Sequence, residues 1–107
     1  MVVRLLVAAL AACLVPGAHA LAQSYPNRAI TIVVPFAPGG LTDVPTRFAA
    51  TLLQEKTGQN FVVENKTGGS GTIGGQYAAR AEPDGYTLLV APPGPLAINQ
   101  TLYRQLS

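Results

Sequence analysis

The chain has no tryptophan, one cysteine, one histidine and few charges: 11% of its 107 residues are Asp, Glu, Lys or Arg, and the formal net charge is +2. A lone cysteine closes no intrachain disulfide and a lone histidine builds no metal cluster, so no metal site is expected. Without clustered Lys and Arg there is no basic surface for nucleic acid, and none is expected as a partner. What is abundant is apolar residues, 49% of the chain, which excludes a disordered polyelectrolyte. The 11 Gly and 9 Pro cluster between apolar runs, where they read as turns rather than as a low-complexity tract. There are no internal repeats.

Residues 1–22 read as a secretory signal peptide. Met1 to Arg4 is a short n-region with one positive charge, and Leu5 to Val15 is an apolar run that Pro16-Gly17 breaks. Ala18-His19-Ala20 is then an A-x-A site. Cleavage is expected after Ala20 or, through Ala20-Leu21-Ala22, after Ala22. The apolar run falls short of the roughly 20 residues that a bilayer span needs. Leu10-Ala11-Ala12-Cys13 fits a lipoprotein box only loosely, because cutting there would leave Leu14-Val15 at the new N-terminus and waste the A-x-A site. Both Cys13 and His19 lie in this leader, so the remaining chain has no thiol or imidazole for nucleophilic or acid–base chemistry. Export without structural disulfides fits a bacterial periplasm.

Beyond the leader, apolar runs and amphipathic segments alternate. Ile30-Thr31-Ile32-Val33-Val34 has the near-continuous apolarity of a strand covered on both faces, and Phe36 to Gly40 is a turn. From Thr42 to Thr57, Val44, Phe48, Ala49, Leu52 and Leu53 recur at helical spacing. Thr42 or Asp43 is placed to cap this helix, Pro45 falls in its first turn, and Gly58 lies just past its end. Phe61 to Glu64 predicts a second strand and Thr72 to Ala81 a second helix, with Ile73, Tyr77 and Ala81 on one face. Tyr86 to Ala91 predicts a third strand after the Pro83-Asp84-Gly85 turn. The loop Pro92-Pro93-Gly94-Pro95 leads to a short helix through Leu96, Ile98 and Tyr103. The fold class is therefore α/β, a parallel β-α-β-α-β sheet with right-handed crossovers.

In open sheets of this kind ligands collect outside the carboxyl ends of the strands, and here all three such loops are rich in Gly or Pro. Gly39-Gly40 permits positive φ and close backbone approach before the first helix, and Gly68 to Gly71 repeats the arrangement before the second. Two amide-lined helix starts facing one cleft form a clamp for carboxylates. The bland reading is two tight strand-to-helix turns. Gly69 to Gly74 also spells G-x-G-x-x-G, but the next strand ends in Val90-Ala91-Pro92, without the acidic residue that a ribose needs. Asp43 is a ligand contact or a helix cap, and Lys66 is an added charge or a solvated lysine.

Several spaced motifs carry a resemblance. Tyr25-Pro26, Ile32 to Gly40 with Asp43 and Arg47, Val62-Val63-Glu64-Asn65, Gly68, Gly71, Ile73-Gly74 and Pro83 to Leu88 resemble the Bug family, the periplasmic solute-binding proteins of tripartite tricarboxylate transporters. The resemblance implies that residues 23–107 are an incomplete first α/β domain, the N-terminal part of a type II periplasmic-binding-protein fold whose second domain is absent from this chain. It also implies ligand-binding positions: Pro38, Gly39, Gly40, Thr42 and Asp43 in the first loop, and Gly68, Gly69, Ser70, Gly71 and Thr72 in the second. Asn99 with the Pro92 to Pro95 loop would form a third wall. Ser70 stands where the family usually has Gly, and the proline-rich third loop is stiffer than its counterparts, which leaves ligand identity open.

The function implied is periplasmic capture of a small carboxylate or dicarboxylate and its delivery to membrane permease subunits, without catalysis or cofactor, by a protein that is monomeric when complete. The alternatives are a periplasmic ligand sensor for a membrane signalling kinase, or an α/β enzyme with a phosphate- or nucleotide-binding loop whose catalytic groups come from elsewhere.

Overall fold

The computed structural model describes residues 24–102. The leader with its cleavage sites and Cys13, and Tyr103 at the other end, lie outside the described residues.

A strand β1 (Ile30–Val34) is followed by helix α1 (Asp43–Thr57), strand β2 (Phe61–Asn65), a single 3₁₀ turn at Gly69–Gly71, helix α2 (Thr72–Ala79) and strand β3 (Thr87–Leu89). A wide π turn at Gly94–Ile98 then runs into the short helix α3 (Asn99–Leu102). The sheet is parallel with strand order β2-β1-β3. Ile30 pairs with Phe61 and Val34 with Asn65 on one side of β1, while Thr31 pairs with Thr87 and Val33 with Leu89 on the other. Backbone bonds from Thr31 N to Tyr86 O and from Val90 N to Val33 O, 2.9 and 3.0 Å, carry the β3 ladder one residue past each end of the regular strand. The parallel β-α-β-α-β order read from the sequence is thus the observed one.

Strand order explains the composition of β1. It is the central strand, paired on both edges, and right-handed crossovers to β2 and from β2 to β3 run in opposite directions, which puts α1 and α2 on opposite faces. Ile30, Ile32, Val33 and Val34 are accordingly buried. Each valine so removed from water contributes roughly 1.5–3 kcal/mol.

The helix boundaries follow local chemistry. Gly58 takes φ 70°, the left-handed conformation that ends α1, and its N–H donates to Gln54 O at 2.9 Å. Thr42 occupies the capping position, but its hydroxyl makes no capping bond. The burial of α1 departs from the sequence reading. Asp43, Thr46 and Ala50 face the sheet, while Val44, Phe48, Leu52 and Leu53 stay exposed, Phe48 by 68%. Helix α2 likewise stops at Ala79, leaves Ile73 and Tyr77 about half exposed, and buries Gly74 instead. A Cβ at Gly74 would lie 2.7 Å from Pro35 Cβ and 2.9 Å from Lys66 O, so the absence of a side chain lets the start of α2 sit directly on the end of β1.

Candidate functional site

The carboxyl ends of the three strands feed the loops 35–42 and 66–71 and, third, the segment 90–98 that includes the π turn. With order β2-β1-β3, the first strand's connection leaves in one direction and the later chain in the other. The loops therefore border the crevice where such sheets take ligands. They meet at Gly71. That residue is buried with φ 88°, and a Cβ there would overlap the Pro95 ring of the third loop and come within 3.2 Å of Phe36 Cζ of the first.

The first loop is shaped by Asp43, only 2% exposed. Its Oδ2 accepts from the Gly39 N–H at 2.8 Å and from Arg47 Nε at 2.9 Å, and its Oδ1 accepts from Asn65 Nδ2 at 2.9 Å. The Arg47 guanidinium, then the Gly39 amide and the Asn65 carboxamide, hold the carboxyl well below the usual carboxylate range against the opposing effect of burial. Asp43 therefore points into the protein, and the Gly39 N–H is turned toward it and away from any ligand. Gly39 carries the positive φ of this loop, 80°, whereas Gly40 needs none. Pro38, Gly39 and Gly40 are exposed and Thr42 is half-buried.

The second loop is a run of four positive-φ residues: Gly68 at φ 123° with an extended ψ of 158°, then Gly69 at 54°, Ser70 at 53° and Gly71 at 88°. Gly71 N–H closes the turn on Gly68 O at 3.0 Å. Gly68, Gly69 and Ser70 are exposed, and Thr72 is half-buried. Ser70 pays the conformational penalty that its three glycine neighbours avoid. Asn99, buried at the start of α3, donates from Nδ2 to Thr72 Oγ1 at 3.2 Å and to Ser70 O at 3.4 Å. Its amide protons thus brace the second loop from the third. Lys66 is held by Glu64 at 3.1 Å and lies 4.5 Å above the Tyr77 ring. Its pKa is raised, first by the Glu64 hydrogen bond, so its charge is already partnered.

All eleven positions expected at the site lie in or beside these loops, but Asp43 and Asn99 act as internal struts. Asn65 is a residue that sequence reasoning quoted without giving it a role. Its signal is a carboxamide at the last position of β2, one residue after the charged Glu64. Beside the loops, a groove of about 580 Å³ runs between α2, β3 and α3, lined by Gln76, Leu89, Pro95 and Leu96 among others, and it takes in two of the expected positions, Thr72 and Asn99. Among the described residues no group of three or more His, Cys, Asp or Glu is placed to hold a metal ion, and no helix is long and apolar enough to cross a membrane.

Comparison with known proteins places this geometry in context. A family model described as "Tripartite tricarboxylate transporter family receptor" matches residues 46–107. The protein BugT of Bordetella pertussis is 46% identical over 82 residues, 76% of this chain and 25% of that protein. Among solved structures, the R. palustris protein Rpa4515 with adipate is 44% identical at a TM-score of 0.72, covering 77% of this chain and 27% of its own. MatC (Rpa3494) from Rhodopseudomonas palustris with bound malate is 37% identical at a TM-score of 0.72, covering 78% and 28%. The chain spans between 22% and 30% of the length of the curated relatives it matches.

Proposed function

The chain belongs to the tripartite tricarboxylate transporter receptor family, and from that premise we propose that the complete protein is a periplasmic receptor. It captures a small carboxylate or dicarboxylate and hands it to membrane permease subunits without chemical change. The observation that carries this reading is the meeting of all three strand-end loops at Gly71, between Phe36 and Pro95. Loops so joined present backbone amides from two helix starts to one anion, and neutral amide donors suit a ligand that must later be released. The relatives solved with adipate and malate support the ligand class. In the first loop the donors left for the ligand are those after Gly39, because Gly39 itself is bonded to Asp43. In the second they come from the positions before Gly71, because the Gly71 N–H is itself bonded to Gly68 O.

Calorimetry on the complete protein with malate, adipate, other C4 to C6 mono- and dicarboxylates, and NAD tests the reading. Binding of at least one carboxylate, unchanged after prolonged incubation, is expected. Tight NAD binding with no carboxylate response would overturn it in favour of a nucleotide-binding enzyme.

A further inference from the structure

We infer that Asn65, together with Asp43 and Arg47, is a positioning lock that holds the first loop in its binding shape before any ligand arrives. This inference rests on the carboxylate-receptor reading above. The three side chains close a ring. Asn65 Nδ2 donates to Asp43 Oδ1, Arg47 Nε donates to Asp43 Oδ2, and Arg47 Nη2 donates to Asn65 Oδ1, each at 2.9 Å. Two further bonds leave the ring, and both go to the loop backbone: Asn65 Nδ2 to Phe36 O at 2.9 Å and Gly39 N–H to Asp43 Oδ2 at 2.8 Å.

The segment from Phe36 to Gly39 is therefore pinned at both ends, one pin from the last residue of β2 and the other from the first residue of α1. Strand pairing does not need the Asn65 side chain. Its backbone register opposite Val34 is set by the parallel ladder, and Lys66 N–H closes the strand end on Val34 O at 2.9 Å. Both amide protons of Asn65 are spent inside the protein, so it acts on ligand only through the loop. A loop that visits its binding shape a tenth of the time weakens apparent affinity about tenfold. The lock removes that loss.

The experiment compares the complete protein with its Asn65→Ala and Asn65→Asp variants, the latter isosteric but lacking both donors and facing Asp43 as a like charge. Hydrogen–deuterium exchange of the ligand-free proteins is measured alongside calorimetric dissociation constants for malate and adipate. The expected result is faster exchange confined to residues 36–42, unchanged exchange in β1 and β2, and an affinity loss of about tenfold or more for whichever acid binds the parent. Unchanged loop exchange in both variants overturns the lock, and so does loosened exchange with unchanged affinity. Exchange accelerating equally throughout the sheet in both variants overturns it in favour of a general structural role. If the parent binds neither these acids nor any other carboxylate, the receptor reading fails, while the ligand-free exchange still decides whether Asn65 orders the loop.

Discussion

Gly71 lies so close to Pro95 that a Cβ on the glycine would overlap the proline ring. Gly71→Ala therefore meets two penalties at once. The left-handed backbone costs an alanine roughly 1–2 kcal/mol, and forced overlap in a packed site costs typically about 1–3 kcal/mol. A loss of about 2–5 kcal/mol is expected in denaturant unfolding of the complete protein, with weakened carboxylate binding. A silent Gly71→Ala would mean that the three loops do not meet there.

Gly39 and Gly40 separate by conformation. A Cβ at Gly39 meets nothing within 4 Å, so Gly39→Ala costs only the left-handed penalty, about 1 kcal/mol or slightly more. At Gly40 the backbone is ordinary and the nearest obstacle is Ala37 O at 3.3 Å, so Gly40→Ala should cost less. Parallel unfolding curves of the two variants give the order directly, and the reverse order would contradict the loop geometry.

Ser70→Gly runs the other way. The left-handed serine at φ 53° gives up roughly 1–2 kcal/mol that glycine does not, offset by the greater freedom of glycine in the unfolded chain, about 0.5–1 kcal/mol. A rise in stability of up to about 1 kcal/mol is expected by thermal or denaturant unfolding. A clear fall would show that the serine hydroxyl holds something the backbone alone does not.

Acid should destabilise the protein through Asp43. Its folded carboxyl ionises well below the value near 3.9 that an unfolded aspartate has. Between those values the unfolded chain binds a proton that the folded one does not. This contribution is complete above the unfolded value and declines as pH falls toward the folded one. Denaturant midpoints should stay level between pH 7 and 5 and fall through pH 4 to pH 3, and Asp43→Asn should flatten that acid limb. An equally steep limb in the variant would assign the effect elsewhere.

Lys66→Ala should change carboxylate affinity by less than about tenfold, because the ammonium is already paired with Glu64 and exposed to water. Dissociation constants at two salt concentrations check this. Abolished binding would make the site a cationic pocket in place of an amide-lined one.

How far the sequence reached depended on what each element needed. β1 was legible to the residue because a strand covered on both faces is apolar almost throughout, with only the half-buried Thr31 interrupting it, and Gly58 marked the end of α1 because only its left-handed turn was required there. The direction of α1 was not legible. The apolar spacing of Val44, Phe48 and Leu52 records which residues avoid water, not which side the sheet occupies. Here the sheet side went to Asp43, Thr46 and Ala50, a face whose polar members are satisfied by the ring with Arg47 and Asn65 and by the bond from Thr46 Oγ1 to Thr42 O. Asp43 was ambiguous between cap and contact for the same reason. Arg47 stands one helical turn on, but the other partners come from residue 39 in the loop behind it and residue 65 on the next strand, and no single local pattern joins all three.

At the amino end of the sheet, opposite the loops, Tyr25 Oη donates to Gly85 O at 2.7 Å. Tyr86 Oη donates to Asn27 Oδ1 at 2.8 Å, and Arg28 pairs with Asp84 at 2.6 Å while lying 4.0 Å above the Tyr86 ring. These contacts fasten the approach to β1 to the approach to β3. They also set the end of the sheet where the backbone enters apart from the end that carries the three loops, the two separated by the length of the central strand. A surface-coupling group attached at Ser24 would thus sit at the entry end, leaving the loop end open for immobilised tests of carboxylate binding.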